Sequence, residues 1–317
     1  MQKNEIQIKL NVEQDDINKK IYFINNIEEL DDANNQYIKF SKITNFNACL
    51  ELKNSNKKIN SYNNYFLPEE QGEYIITLTF KEEIQNCNYM FYKCEYVTGL
   101  DFSNFCSKNV NNMISMFSYC KRLKDLVLTD FKTGDVHSME ETFSNCEQLE
   151  YIDISSFQTG NVKYMNLMFD DCKNLKEIKF PGILNLEKVK NISGIFYGCT
   201  KLENLDLPAL NTDNITNMSR MFFNCINLKS INLQNFNTIN VSTMEKMFYN
   251  CKSLKKLNLF SFKTDKVLNM TEMFNGCINL EDIDLTEFNF KNVKFCDNMF
   301  LGCEKISYLT CNNIMHS

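Results

Sequence analysis

From residue 84 onward the apolar positions repeat with a fixed period. Nine cysteines fall on a ruler: Cys94, Cys120, Cys146, Cys172, Cys199, Cys225, Cys251, Cys277 and Cys303. Each interval is 26 residues, except Cys172 to Cys199, which is 27. A phenylalanine stands three residues before each one, from Phe91 and Phe117 to Phe274 and Phe300. A fixed period of this length marks a repeat architecture, inside the leucine-rich-repeat range. Within the unit at residues 210–235, Met218, Met221, Phe222 and Cys225 are spaced i, i+3, i+4, i+7, which predicts one face of a short helix. Asn217 stands where such a helix would be capped, and Asn112, Ser138, Asn191, Thr243 and Asn269 hold the same place. The residue before the cysteine is often Gly or Asn (Asn145, Gly198, Asn224, Asn250, Gly276, Gly302), types that tolerate the left-handed conformation and end helices. Leu228, Ile231 and Leu233 follow, the last two alternating around Asn232 as in a strand. Phe236 then packs at the strand's exit, and Asn237–Asn240 turn the chain toward Val241.

Each unit therefore predicts strand, turn, short helix, turn, with successive strands parallel and joined by crossovers. One unit cannot bury both of its flanks, so only stacking makes it stable. At ~4.8 Å per strand, nine rungs make a rod roughly 40 Å long. The fold class expected is α/β: a right-handed leucine-rich-repeat solenoid over residues 84–317 with a parallel β-sheet and short helices, plus a small β-rich domain over residues 1–83. In that first part IQIKLNV, KIYFI and EYIITLTF read as strands, and CLELKN with the following NSNKK as a hairpin. Its expected task is to cover the first rung, because an open rung exposes core.

The repeating pattern, a strand LxxLxLxxF, then TxxV, then MxxMFxxC, stands here as LKSINLQNFNTINVSTMEKMFYNC over residues 228–251. It resembles the BspA-like leucine-rich repeat family, often described as surface proteins, and the resemblance covers about residues 84–311. The resemblance implies a solenoid used for adhesion or partner binding and brings no catalytic motif with it.

The fourth crossover departs from the pattern. Pro181, Gly182, Ile183, Leu184, Asn185 and Leu186 replace the usual FxT segment and add one residue, and Pro208 and Ala209 alter the next rung. Either a tolerated bulge or a kink that shapes a binding face would read this way. At the other end the chain runs out soon after the strand Tyr308–Cys311 with no capping helix, and an open parallel edge is a pairing hazard.

Composition narrows the chemistry. The 317 residues are 44% hydrophobic and 23% charged, a globular balance, with a formal net charge of -6 and no dense Lys/Arg run, which argues against nucleic acid. No apolar stretch of membrane-spanning length and no signal-peptide core is seen, so a cytoplasmic protein is expected, with the cell surface as the alternative. The 14 cysteines lack recurring CxxC or Cys/His clusters. Disulfides between neighbouring rungs are conceivable, but a column of small buried thiols beside the phenylalanines is the expected reading. His137 and His316 are the only histidines, and neither has a repeated Cys or Asp neighbour that would suggest a catalytic triad. Five Asn-x-Ser/Thr sequons begin at Asn191, Asn214, Asn217, Asn240 and Asn269, where capping and turn chemistry already favour Asn.

What the repeat leaves free is a column of strand residues pointing outward. Asp101, Asp153, Asp206, Asn232, Asn258 and Asp284 stand in it, with Val127, Lys179 and Thr310. Such a ladder suits a basic segment of a partner, or less readily Ca²⁺. The expected function is a non-enzymatic protein–protein interaction module or scaffold that binds another protein along this face. No cofactor, metal or nucleic acid is expected, and self-association through the C-terminal edge is possible for so open an end. The alternatives are a surface adhesin and an enzyme with a pocket at the domain junction.

Overall fold

The structure, a computed structural model, describes residues 4–24, 46–52, 58–61 and 63–311. The N-terminal part contains β1 (Glu5–Val12), β2 (Ile21–Tyr22), β3 (Phe46–Leu52), β4 (Lys58–Ser61), β5 (Tyr65–Phe66) and β6 (Gly72–Phe80). β1 pairs antiparallel with β6, which pairs antiparallel with β3, and β3 with β4. Ile6, Ile8 and Leu10 of β1 alternate inward and are buried, as a half-covered strand requires. β1 also pairs antiparallel with β7 (Val97–Asp101), the first strand of the repeat, so the two sheets are continuous. A Tyr96 hydroxyl donated to the buried Asp16 carboxylate at 3.2 Å ties the same junction.

Nine strands stand at the repeat period. After β7 come β8 (Asp125–Val127), β9 (Tyr151–Asp153) and β10 (Glu177–Lys179). β11 (Ile183–Leu184) lies in the fourth crossover, followed by β12 (Asn204–Leu205) and then β13 (Ala209–Leu210) in the fifth. β14 (Ser230–Ile231), β15 (Lys256–Leu257), β16 (Asp282–Leu285) and β17 (Tyr308–Cys311) complete the solenoid. Eight turns of the chain join the nine strands, and paired residues of neighbouring rungs stand 26 or 27 apart, as in Asn191↔Asn217 and Tyr164↔Asn191.

The expected helices are absent. Among the described residues the only helical element is a single 3-10 turn at Gln14–Asp16. The MxxMFxxC segment forms two tandem β-turns instead. In Met244–Cys251 the amides of Met247 and Cys251 close the turns on Met244 and Phe248, at 3.2 and 3.1 Å. The amides of Met244, Lys246, Phe248 and Asn250 donate instead to carbonyls of the next rung, at 2.7–2.9 Å. Lys246 and Asn250 have φ of 55° and 58°, the positive value that the third residue of a type II turn needs. The same two positions are left-handed in every rung, from Tyr89 and Lys93 to Asn298 and Gly302. Tandem turns place residues 1, 4, 5 and 8 inward, which is also helical spacing, so periodicity could not separate the two. An isolated helix of eight residues has little stability of its own, and the turns give half their amides a partner in the next rung.

Five of the six Asn, Ser and Thr residues read as helix caps do cap, but they cap turns, whereas the buried side-chain oxygen of Asn112 has no hydrogen-bond partner. Asn191, Asn217 and Asn269 each accept the amide two residues on at 2.9 Å. The sequon residues Asn214 and Asn240 donate to carbonyls of the preceding rung at 2.8 and 2.7 Å.

The core is a set of columns. Nine phenylalanines, Phe91 to Phe300, stack face to face with centroids 5.3–5.8 Å apart. From Cys120 onward each ruler cysteine donates its thiol to the carbonyl of the preceding rung's phenylalanine at 3.0–3.2 Å. The column is thus packed thiols, with no disulfide among the described cysteines.

Rungs are held most closely on the turn side. Turn-to-turn hydrogen bonds cross all eight junctions. The strand ladder, by contrast, is interrupted between β8 and β9, between β10 and β12, and between β14 and β15. Tyr197, Phe223 and Tyr249 on the outer turn surface stack at 4.5 and 4.6 Å. Phe236, Phe262 and Phe288, where the strands exit, stand 6.4 Å apart.

Candidate functional site

The strand column points outward in every rung, on one face. Asp101 and Asp153 are half-buried, and Asp206, Asn232, Asn258 and Asp284 are exposed. Most of these side chains are engaged within the chain. Asp101, Asp153, Asn232, Asn258 and Asp284 each accept the amide of the residue two further on, at 2.8–3.1 Å. Each thereby makes an Asx-turn that starts the crossover. Ion pairs between rungs use further charge on this face: Lys176–Glu150 and Lys229–Glu203 at 2.6 Å, and Lys179–Asp153 at 2.8 Å. For Asp153, partial burial would raise the pKa, but hydrogen bonds from Lys179 and Ser155 outweigh it and hold the carboxyl at about 2. The Thr286 amide in turn lowers the pKa of Asp284.

Asp206 is the exception. The residue two further on is Pro208, which has no amide hydrogen to donate. Among the described residues the Asp206 carboxylate has neither a hydrogen bond nor an ion pair, and nor does the carboxylate of Glu177 on β10. Lys179 stands in the same column one rung earlier and is likewise followed two residues on by a proline, Pro181. Its basic side chain needs no amide donor and reaches Asp153 instead.

Between these rungs, where no ladder joins β10 to β12, the strand face opens into a cleft of about 400 Å³. Glu177, Lys179, Asn204 and Asp206 supply its polar wall, and Phe180, Pro181 and Pro208 lie in its apolar part. The irregular fourth crossover explains it. Elsewhere a buried threonine binds the crossover of the next rung, as Thr133 does with Gln158 and Thr238 with Lys263. Leu186 takes the threonine's place in the fourth crossover, and the added residue shifts the backbone. The buried hydroxyl of Thr159, one rung earlier, is left without a partner. The phenylalanine at the strand's exit is replaced by Leu184 and Leu210 in these two rungs. A void of about 30 Å³ with an apolar lining remains inside, bordered by Leu184, Leu210, Thr159 and Phe180. Phe180 lines both the void and the cleft. It is half-buried, whereas Ile154 and Leu233 at the same strand position are buried.

Other sequence candidates fall elsewhere. His137 sits in a turn, with Nδ1 3.4 Å from the Asn111 carbonyl oxygen. His316 lies outside the described residues. No group of three His, Cys, Asp or Glu able to hold a metal ion occurs among the described residues. The aromatic stack of Tyr197, Phe223 and Tyr249 was missed by sequence reading, although its spacing of 26 residues was visible two positions before the ruler cysteines.

Comparison with known proteins adds little about activity. No curated protein matches the chain. One solved structure, described as a leucine rich cell surface protein from Faecalibacterium prausnitzii A2-165, is 16% identical, with 72% of this chain and 76% of that chain covered. Its TM-score is 0.38, and nothing about the function of this chain follows from it. The model of a family described as Mycoplasma protein of unknown function, DUF285, matches residues 85–181, 175–260 and 256–312. These segments span most of the solenoid, and the chain belongs to that family.

Proposed function

We propose that the chain is a non-enzymatic protein-interaction module that binds another protein along the strand face of the solenoid. The observation that supports this best is the cleft between β10 and β12, where the internal pairing that satisfies the rest of the face lapses. A rigid repeat carries such a site at a fixed place on an extended surface, which is how solenoids engage partners. The test is a pull-down with the intact chain against a variant with Asp153, Asp206 and Asp284 changed to Lys. Loss of the partner is expected, and unchanged recovery removes the strand face from consideration.

The module acts in the cytoplasm in this reading, with no nucleic acid and no cofactor. No helix among the described residues is long and apolar enough to cross a membrane. The likeness of the LxxLxLxxF–TxxV–MxxMFxxC unit to BspA-like surface proteins favours a second reading, a cell-surface adhesin. Protease treatment of intact cells separates the two, since only a surface protein is cut.

The C-terminal edge is a second contact surface in the proposal. Tyr308 on β17 is 70% exposed, and Phe300 is only half-buried. The amides of Cys296, Asn298, Phe300 and Gly302 stand where other rungs donate to a following rung, and no bond from them is formed among the described residues. Sedimentation at rising concentration tests self-association there, and a strict monomer counts against it.

A further inference from the structure

We infer that the cleft between β10 and β12 is the anchor point for an arginine or lysine side chain of the bound partner. The inference rests on the strand-face reading and names the chemistry its partner must bring.

Four features of the cleft converge on that occupant. The first is size: about 400 Å³ lies within the range of sites that enclose a small group, and is ample for one long side chain. The second is charge. Lys179 is already neutralised by Asp153 at 2.8 Å, so the uncompensated groups in the wall are the carboxylates of Glu177 and Asp206. A cation that reaches them gains charge-assisted hydrogen bonds. The third is the apolar part of the wall. Phe180, Pro181 and Pro208 offer a surface for the methylene stem of such a side chain, which buries its carbons while its charged head finds polar partners.

The fourth is the origin of the free carboxylate. Elsewhere in the column an Asp or Asn closes an Asx-turn on the amide two residues on, as Asp284 does with Thr286 at 2.9 Å. Proline at 208 deletes that donor and leaves Asp206 its full accepting capacity. The rung keeps an aspartate in the column while losing the reason for one. The cleft is also backed by poorly filled core. Phe180 separates it from the internal void, so the wall has room to adjust to a ligand.

The experiment uses the intact chain and a capped five-residue peptide, Ala-Val-Arg-Val-Ala, titrated by calorimetry. A second peptide carries citrulline, the neutral isostere of arginine, in the central place, and free arginine amide serves as a third probe. The arginine peptide is expected to bind, more weakly as salt is raised, and the citrulline peptide about ten-fold more weakly. Asp206→Asn should lose about the same factor. Pro208→Ala restores an amide for Asp206 to capture, so it should weaken the peptide without removing a charge. Binding of arginine amide as tight as that of the peptide would mean a free small-molecule site and overturn the partner anchor. Absence of binding by the arginine peptide, equal binding of the citrulline peptide, or full binding by folded Asp206→Asn would each overturn the inference. The two readings fail separately. If no peptide binds but the Asp153/Asp206/Asp284 variant loses its partner, the strand face stands and the anchor falls. If the peptide binds as expected but that variant keeps its partner, the cleft still takes a guanidinium, but both the strand face as docking surface and the cleft as the partner's anchor fall.

Discussion

Replacing Phe222 by alanine should cost far more than replacing Phe300, although the two stand at the same point of the repeat. Phe222 is fully buried and stacks on Phe196 and Phe248, with centroids at 5.6 and 5.4 Å. Truncating a buried phenylalanine costs about 3–5 kcal/mol, the spread depending on how far the site collapses. Here both neighbouring rungs are fixed by turn-to-turn hydrogen bonds and cannot close in. Each stacked pair adds about 0.5–1.5 kcal/mol beyond area burial, so Phe222→Ala belongs near the upper end, at about 5 kcal/mol. Phe300 is half-buried and among the described residues stacks on one side alone, on Phe274 at 5.3 Å. Phe300→Ala should cost about 1–2 kcal/mol. A solenoid is held by interfaces between neighbouring rungs, so the central change should also split unfolding into two steps while the terminal one frays a single rung. Urea unfolding followed by tyrosine fluorescence and by circular dichroism reads both effects, the chain having no tryptophan. Equal losses at the two positions, or a single coincident transition in Phe222→Ala at a cost below about 2 kcal/mol, would refute the column as the source of cohesion.

Two further outcomes test the electrostatics and the thiol column. Burial, with Asp171 and Glu141 nearby, raises Asp170 to about 6 against the opposing effects of the Ser144 hydrogen bond and Lys173. The native chain therefore holds this proton where the unfolded chain, at about 4, has lost it, and the group's contribution to stability falls as pH rises from about 4 to 6. Asp170→Asn should accordingly compare better with the unmodified protein at pH 7 than at pH 5 in urea midpoints, and a pH-independent difference would contradict this assignment. Thiol labelling of the folded chain should modify the exposed Cys296 first. Cys303 should follow, being half-buried on the last described rung. Cys120 to Cys251 should stay unmodified, since burial raises their pKa, Cys225 to about 12. Mass spectrometry of the labelled peptides gives the order, and early loss of Cys172 or Cys199 would mean that the rungs open around the fourth crossover.

Much of this protein was legible in its sequence, because a solenoid repeats its physical requirements. The ruler of Cys and Phe fixed the period, the buried columns and the parallel stacking, since a side chain that packs on its own copy must recur at the same register. The Asn and Gly before the cysteine marked a left-handed residue, and every rung has one there. Helix or turn was decided only in three dimensions. Residues 1, 4, 5 and 8 face inward in both, and what separates them is whether amides bond four residues back or to the next rung. The second left-handed position was hidden because Ser115, Glu141, Leu167 and Arg220 hold it, residues with no preference for that conformation. The strand column was correctly read as outward. Its commitment to Asx-turns and ion pairs was not, because those bonds depend on the crossover backbone and on the neighbouring rung. Sequence located the irregular fourth crossover and could not say what it did. The unpartnered Thr159, the void beneath Leu184 and Leu210, and the cleft beside Asp206 exist only where two rungs of unequal length are stacked. A period is a property of one chain read in order, whereas a mismatch between rungs is a property of their contact.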